Sequence, residues 1–298
     1  MTASRQAAVW QTARHRIDLR RPQVMGIVNV TPDSFSDGGA HGSTSTALRH
    51  CEALLAEGAD ILDIGGESTR PGSPAVPLDE ELARVLPVVR EAVRLDVPIS
   101  VDTYKPEVMR AVLDLGADIV NDIWALRRPG AAEVVATHPS CGVCLMHMHR
   151  DPQTMQAAPM QGDVLPQVLS FLKRSAQAAC ALGVDSARIV LDPGIGFGKT
   201  VAQNFALLSR QGELMAAGFP LLAGWSRKSS LGVVTGIETP AERLVPSVAA
   251  ALMAVERGAR IVRVHDVRQT VQALAVWQAA EDFAAGGRPQ QEQERQQP

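Results

Sequence analysis

The apolar residues of this chain fall into short runs that alternate with longer amphipathic stretches. Eight runs of four to eight residues are rich in Val, Ile and Leu, and polar or glycine-rich residues follow each of them. The runs are 23–30, 59–64, 98–101, 117–120, 142–148, 188–191, 219–223 and 260–264. An apolar run between helical stretches is typical of a parallel strand that is covered on its outer face. The pattern therefore predicts eight parallel strands.

The stretches between the runs have the spacing of amphipathic helices. They are 44–57, 79–95, 106–115, 131–137, 164–182, 202–217, 241–257 and 268–283. Three of them end in Gly-Ala before the next run, at Gly58, Gly116 and Gly258. Glycine can take the left-handed conformation that ends a helix. Eight strand–helix units favour an α/β fold of the closed (β/α)₈ TIM-barrel type over an open doubly wound sheet.

The length of 298 residues fits a single barrel domain with short extensions at both ends. We expect an N-terminal leader at 1–22, a catalytic domain at 23–283 and a disordered tail at 284–298. The leader is rich in Arg, as transit peptides are, but loose alternation over 10–19 favours a short strand pair. The tail is rich in Gln, Arg, Gly and Pro, which is the composition of disordered segments.

Composition narrows the class of partner. A net charge of −3 gives no broad basic surface for nucleic acid. No stretch approaches the ~20 apolar residues of a membrane span. Four cysteines are too few for a disulfide framework in a chain of this length. We expect a cytoplasmic protein that acts on small molecules.

The polar residues are concentrated at the C-terminal ends of the apolar runs. In parallel α/β folds, ligands bind beyond these strand ends. Four side chains end or nearly end separate runs: Asp63, Asp102, Asn121 and Asp192. Each alone could close a strand end by local hydrogen bonds. Together they indicate hydrogen-bond acceptors for a heterocycle rich in N–H groups.

Cationic side chains form a second set at the same ends of the runs. They are Arg70, Arg227, Lys228, Arg263 and His265. The alternative for any one of them is a solvated surface charge. Several follow apolar runs directly, and a cationic mouth suits a phosphate or diphosphate group.

Two motifs invite interpretations that their spacing does not support. The glycine-rich segment 192–200 has Pro193 where a Walker phosphate loop requires Gly. We interpret it as a sharp loop that lets a ligand approach, with Phe197 as a stacking surface. Cys141, Cys144 and His147 have zinc-like spacing. Because odd separations place strand residues on opposite faces, we prefer buried cysteines to a zinc site.

Eight segments of the chain resemble, in order, the motifs of dihydropteroate synthases. They are 29–39, 60–72, 100–106, 121–123, 145–149, 191–199, 226–229 and 263–266. The most specific are NVTPDSFSDGG at 29–39 and ESTRPG at 67–72. The resemblance spans 24–277, nearly the whole chain apart from its ends. The family is a (β/α)₈ barrel that condenses 6-hydroxymethyl-7,8-dihydropterin diphosphate with 4-aminobenzoate in folate synthesis, giving 7,8-dihydropteroate and diphosphate.

The resemblance implies a role for each candidate residue. The pterin would be held by Asp102, Asn121, Asp192 and Lys228, between the apolar side chains Ile123, Met148 and Phe197. The diphosphate would be bound by Arg263, His265 and Asn29, with Asn29 also bearing on Mg²⁺, and Thr69 would contact the pterin diphosphate substrate. The 4-aminobenzoate would be bound by Phe35, Thr69, Arg70, Pro71, Phe197, Ser226 and Lys228. The catalytic residues would be Asp102, Asp192, Lys228, Arg263 and His265.

The resemblance also implies Mg²⁺ as cofactor, sulfonamides as inhibitors and a homodimer as the assembly. The apolar helices at 241–255 and 271–277 would suit a dimer interface and equally suit packing on the barrel. For the reaction, we expect a dissociative loss of diphosphate followed by attack of the aromatic amine, without a side-chain nucleophile.

Two other functions use a similar barrel. A methyltetrahydrofolate:corrinoid methyltransferase would share the pterin acceptors but would not need the diphosphate cations. A non-catalytic pterin-binding protein would be expected to lack Lys228, Arg263 or His265, and all three are present.

Overall fold

A computed structural model describes residues 9–30, 39–68 and 72–284 of the chain. Within them, eight parallel strands close into a barrel in which each strand pairs with the next along the chain and the last pairs with the first. The barrel strands are β3 (Gln23–Asn29), β4 (Ile61–Gly65), β5 (Ile99–Asp102), β6 (Ile119–Asp122), β7 (Gly142–Met146), β8 (Ile189–Asp192), β9 (Leu221–Ala223) and β10 (Ala259–Val264). The predicted (β/α)₈ barrel is confirmed. The predicted tail lies outside the described residues, apart from Ala284.

Helices cover the outside of the barrel. They are α1 (Gly39–Ala56), α2 (Leu78–Ala92), α3 (Pro106–Asp114), α4 (Ala131–Thr137), α5 (Val164–Ala181), α6 (Val201–Ser209), α7 (Ser229–Thr235), α8 (Leu244–Glu256) and α9 (Val267–Ala284). Short 3₁₀ helices follow α2 and α6, at Val93–Leu95 and Gln211–Ala217. In the described part of the chain, no helix combines the length and apolar character that crossing a membrane requires.

Most predicted elements are confirmed to within about two residues at their ends, and α7 is the main one that was missed. This helix contains Gly232 and two exposed valines, Val233 and Val234, which are poor helix formers. A Cβ on Gly232 would lie 2.6 Å from the Arg243 side chain and 2.6 Å from the Ile237 carbonyl oxygen. Close packing therefore requires glycine here, at the expense of local helix propensity.

The three predicted Gly-Ala turns have the expected backbone. Gly58, Gly116 and Gly258 have φ values of 99°, 98° and 96°. Each amide donates a hydrogen bond back to the end of the preceding helix, as Gly58 does to the Leu55 carbonyl oxygen at 2.9 Å. The chain thus uses the same left-handed residue three times to turn from a helix into the next strand.

An antiparallel strand pair, β1 (Val9–Gln11) and β2 (Arg16–Asp18), closes the N-terminal end of the barrel. It was predicted as a strand pair. Trp10 is 1% exposed, and its Nε1 donates to the carbonyl oxygen of Arg188 at 2.9 Å. The pair packs on inward residues of the strands, and the cluster consists of Trp10, Ile17, Leu19, Met25, Ile61, Ile119, Cys144, Val190, Leu222 and Ile261. The hairpin therefore forms an apolar plug.

The outward residues of the same strands pack against the helices in two large apolar clusters. Cys141 belongs to one of these outer clusters, whereas Cys144 belongs to the plug inside the barrel. The predicted placement of these cysteines on opposite sides is confirmed, and both thiols are buried. Burial raises the pKa of both thiols.

Candidate active site

Along the inward rows of the strands, side chains change from apolar to polar toward the C-terminal end. In β4, Ile61 is followed two residues later by Asp63, and in β10, Ile261 is followed by Arg263. The same step occurs in β6 and β8. The polar side chains that meet above the plug are Asp63, Asp102, Asn121, Asp192 and Arg263. The predicted acceptor residues are therefore brought together inside one mouth of the barrel.

Arg263 connects two of the acceptors, and a third acceptor joins them through Asp63. Its Nε lies 2.6 Å from Oδ2 of Asp63, and its Nη2 lies 2.9 Å from Oδ2 of Asp102. Asn121 Nδ2 donates to the same Asp63 oxygen at 3.1 Å. The guanidinium thus compensates two buried carboxylates, which would be unfavourable without a cation.

Asp102 keeps one carboxylate oxygen for another partner. Its Oδ1 is buried, and so is Oδ1 of Asp63; neither has a hydrogen-bond partner among the described residues. Burial raises the pKa of Asp102 to about 7, against the lowering effect of Arg263. A buried acceptor without a partner costs ~1–3 kcal/mol. A ligand that brings N–H donors to this floor would remove that cost.

Asp192 forms the opposite wall and belongs to the glycine-rich loop. Its Oδ1 accepts a hydrogen bond from the Gly194 amide at 2.7 Å. Burial raises the pKa of this carboxyl, while the Gly194 amide and then Lys228 favour its ionised form. This carboxylate is suited to bind a neighbouring pair of ligand donors.

Lys228 and Phe197 face each other across the mouth. The Lys228 Nζ lies 4.5 Å from the centroid of the Phe197 ring, a cation–π contact. Phe197 packs in one apolar cluster with Ile123, Met148 and Met155. Ile123, Met148 and Phe197 were predicted to line the site, whereas Met155 was not, and together they form an apolar surface that suits the face of an aromatic or conjugated ring.

The ends of β9 and β10 supply a hydroxyl and an imidazole. Ser226 Oγ lies 2.9 Å from Nδ1 of His265 and accepts from the His265 amide at 3.1 Å. Next to them, the Arg227 guanidinium binds the Asp266 carboxylate. Since Arg227 and Arg263 both have carboxylate partners, the mouth is less positive than its cations alone suggest.

Asn29 and Asp102 lie on either side of a glycine. Asn29 pairs with Gly65 in the barrel ladder, and Gly65 pairs with Asp102. A Cβ on Gly65 would lie 3.5 Å from Cβ of Asp102. The glycine leaves space between two oxygen-bearing side chains at the rim of the mouth.

Four predicted residues of the 4-aminobenzoate site lie outside the described residues: Phe35, Thr69, Arg70 and Pro71. The residues just before the second of these segments are described. Glu67 binds Nζ of Lys105 and accepts from the Tyr104 hydroxyl at 2.9 Å. Lys105 also binds Glu81, which is 1% exposed. The loop after β4 is thus attached to the strand end of β5 and to α2.

Lys199 also belongs to the structure of the site, although no role was predicted for it. It is 2% exposed, and its Nζ donates to the carbonyl oxygens of Gly194 at 2.8 Å and Phe197 at 3.1 Å. His147 Nδ1 lies 3.0 Å from the same nitrogen. Burial lowers the pKa of Lys199 to about 7, and burial followed by the Lys199 charge lowers the pKa of His147 to about 2. The sequence signal was a Lys inside a glycine-rich loop.

Comparison with known proteins identifies the family. Residues 25–265 match the pterin binding enzyme family. A dihydropteroate synthase from Neisseria meningitidis serogroup B is 53% identical over 276 residues, which cover 91% of this chain and 97% of that protein. The chain belongs to the dihydropteroate synthase family. The predicted family and its class, a transferase, are confirmed.

Solved structures of dihydropteroate synthases have the same fold. The Burkholderia cenocepacia enzyme in complex with 7,8-dihydropteroate is 51% identical, with a TM-score of 0.85, covering 94% of this chain and 98% of that one. The Yersinia pestis enzyme in complex with a sulfonamide drug is 45% identical, with a TM-score of 0.87, covering 92% and 99%. The similarity spans the whole barrel.

Proposed function

We propose that this protein condenses (7,8-dihydropterin-6-yl)methyl diphosphate with 4-aminobenzoate to give 7,8-dihydropteroate and diphosphate. The observation that carries the proposal is the buried acceptor floor. Asp102 Oδ1 is buried without a protein donor among the described residues, Asn121 pairs with Asp102 in the barrel ladder, and Asp192 ends another strand at the same mouth. The amino and ring N–H groups of a pterin are complementary to these oxygens.

Loss of diphosphate would be the first chemical step. The C–O bond at the pterin methylene breaks, and its electron pair leaves with the diphosphate oxygen. The pterin ring delocalises the positive charge that remains on the methylene, and the carboxylates of Asp102 and Asp192 stabilise it. Lys228, His265 and Arg263 would hold the departing anion, so that negative charge moves toward cations.

Attack by the amine would complete the reaction. The 4-aminobenzoate nitrogen forms the new C–N bond and then loses a proton, which the released diphosphate can accept. Phe197 and Lys228 would orient the ring, together with the hydroxyl of Ser226. No covalent intermediate with the protein is needed, so positioning and exclusion of water would provide much of the rate.

Mg²⁺ remains part of this proposal. Asn29 would hold it together with the diphosphate, because Mg²⁺ prefers oxygen ligands and is often bound by few side chains plus phosphate oxygens. The space beside Gly65 fits that role, since an amide and a carboxylate border it. When bound, the ion would supply further stabilisation of the negative charge on diphosphate.

One assay tests the function. The purified protein is mixed with the dihydropterin diphosphate, 4-aminobenzoate and Mg²⁺, and dihydropteroate and diphosphate are measured together. We expect equal amounts of both products and inhibition by a sulfonamide that competes with 4-aminobenzoate. Binding of the pterin without product would instead indicate a non-catalytic pterin-binding protein. Methyl transfer from methyltetrahydrofolate to a corrinoid would indicate the methyltransferase alternative.

We also propose a homodimer and a cytoplasmic location. Val233 and Val234 of α7 and Val245 of α8 are exposed at 68%, 56% and 73%, and apolar side chains left this exposed suit an interface. The four cysteines are free thiols, as is common in a reducing compartment. Analytical ultracentrifugation should give twice the chain mass of 31.8 kDa. The division into a leader at 1–22, a catalytic domain at 23–283 and a tail at 284–298 likewise stays a proposal.

A further inference from the structure

Arg227 has an unusual backbone conformation between two residues of the proposed site. Its φ is 58°, in the left-handed region that long side chains seldom adopt. Ser226 precedes it and Lys228 follows it. A left-handed residue reverses the local chain direction, so Arg227 determines where both neighbouring side chains point. Such a conformation persists only where the surroundings hold it in place.

Three contacts hold Arg227. Its amide donates to Oγ of Ser247 at 2.9 Å, and its carbonyl oxygen accepts from Nη1 of Arg243 at 3.1 Å. Its guanidinium makes a two-pronged contact with Asp266, through Nη2 to Oδ1 at 2.6 Å and Nε to Oδ2 at 3.2 Å. The backbone is thus fixed by α8 and the segment before it, and the side chain is fixed by the residue that follows the His265 imidazole.

The ion pair between Arg227 and Asp266 joins β9 and β10 beyond the point where their ladder of backbone contacts ends. Strands β9 and β10 pair from Leu221 to Ala223, where Ala223 lies opposite Val262. Beyond that point, in the direction of the site, no ladder contact joins the two strands in the described residues. The contact between Ser226 and His265, at 2.9 Å, and the ion pair between Arg227 and Asp266 replace it.

We propose that Arg227 is a positioning residue for the proposed reaction. Through its ion pair with Asp266, it holds the end of β9 in register with the end of β10. Ser226 is thereby kept against His265, and Lys228 is kept over Phe197. The role rests on the proposed function, because its effect is on residues that would bind the diphosphate and 4-aminobenzoate. A two-pronged Arg–carboxylate contact is geometrically specific, so it suits this role better than a single charge would.

The alternative is that Arg227 binds diphosphate directly, as its place among the cations of the mouth suggests. The two hypotheses differ in the role of Asp266. If Arg227 binds the phosphate and Asp266 only neutralises the Arg227 charge, Asp266→Asn frees that cation, and binding of pterin diphosphate is unchanged or tighter. If the pair positions the two strand ends, Asp266→Asn and Arg227→Ala cause the same defect.

The experiment compares Arg227→Ala, Arg227→Gly, Arg227→Lys and Asp266→Asn with wild type. We expect kcat/KM for 4-aminobenzoate to fall about tenfold or more in Arg227→Ala and Asp266→Asn. The fall in kcat/KM should be smaller in Arg227→Gly than in Arg227→Ala, since glycine accepts the left-handed backbone. Arg227→Lys should restore part of the activity because it keeps the charge without the planar fork. Arg94→Ala is the matched control, because it breaks the exposed pair with Glu91 at the other end of the barrel.

A second measurement makes the test independent of activity. Hydrogen exchange of the peptide 224–230 should be faster in Arg227→Ala and Asp266→Asn than in wild type, while Arg94→Ala leaves it unchanged. Unchanged exchange and unchanged kinetics in both variants would overturn the positioning role. So would tighter pterin diphosphate binding in Asp266→Asn. A wild-type protein that forms no dihydropteroate would contradict the proposed function, and the exchange data would still decide the positioning role.

Discussion

The two ends of the barrel interior are built from the same strands and differ in almost every physical property. At the N-terminal end, Ile61 and Ile261 are 0% exposed and pack beneath Trp10. Two residues further along the same strands, Asp63 and Arg263 form an ion pair. One end gains stability by removing apolar surface from water, whereas the other keeps charges away from water. The difference teaches that stability and chemistry occupy adjacent layers of one fold.

The polar layer is stable only because its charges compensate each other. Arg263 lies between two carboxylates, and the pKa of Asp102 remains raised by burial even so. The plug bears no such cost. Substitutions in the plug should therefore change stability without changing chemistry, whereas a polar-layer substitution that leaves the Arg263 ion pairs intact should change chemistry with little effect on stability.

The largest effect is expected at the plug. Trp10→Ala removes the largest buried side chain of the hairpin and its hydrogen bond to the Arg188 carbonyl oxygen. We expect the free energy of unfolding to fall by about 3–5 kcal/mol. Urea unfolding measures it. Trp277→Ala, on the partly buried face of α9, is the matched control and should cost less. A large fall in kcat well below the unfolding temperature would contradict the separation of the two layers.

The next effect is expected at the acceptor wall. Asp192→Asn keeps an oxygen for the Gly194 amide but places an N–H₂ group where the pterin would bring its own donors. We expect pterin diphosphate binding to weaken about 100-fold, with little loss of stability. Isothermal titration calorimetry measures the affinity.

Asp118→Asn is the corresponding change at the other end of the barrel. Asp118 directly precedes β6, at the N-terminal end of the barrel. It is 0% exposed and accepts hydrogen bonds from Arg14 and from the Ile99 amide. This variant should lose stability and keep its affinity for the pterin diphosphate. The comparison would break if Asp118→Asn weakened pterin binding as much as Asp192→Asn does.

The smallest effect concerns the pH dependence of stability. The pKa of Lys199 falls from 10.5 to about 7 on folding, because the ammonium is buried. A lowered folded-state pKa contributes stability that is present above pH 10.5 and is lost as the pH falls to 7. In that range the unfolded chain binds the extra proton, so stability should rise with pH by up to about 1.4 kcal/mol per unit.

Lys199→Met should remove this rise. Urea unfolding at several pH values between about 7.5 and 9.5, inside the range between the unfolded and folded pKa values, would measure the slope in both proteins. Lys173→Met, which removes an ammonium from helix α5, is the matched control and should retain the wild-type slope. Equal slopes in wild type and Lys199→Met would show that the ammonium stays fully charged among its carbonyl partners.

The strand pattern predicted the barrel and the faces of its residues because strand geometry is local. An alternation of two residues sufficed to separate Cys141 from Cys144. The same local rule did not reveal α7, because Gly232 is required by contact with Arg243 rather than by helix propensity. Where tertiary packing overrides helix propensity, the residue pattern along the chain does not predict the helix.

The residues of the candidate site were predicted from the sequence, but most of the contacts between them were not. The acceptors were recognised from their place at strand ends, and the family resemblance assigned their ligands. The partner of Arg263 was not predictable, since Asp63 is 200 residues away and becomes a neighbour only when the barrel closes. The attachment of Glu67 to Lys105 was missed for the same reason. The carbonyl contacts of Lys199 are local, and they were missed because they depend on how the glycine-rich loop folds back on itself.

The hairpin at the N-terminal end has a consequence for the order of folding. Trp10 leaves the ribosome early, but its hydrogen-bond partner at Arg188 is 178 residues later, and the Ile261 against which the plug packs is later still. The hairpin cannot dock until the last strand has been made. The hairpin is therefore made before most of its native contacts exist, and the nascent chain must keep an exposed tryptophan in solution until the barrel closes.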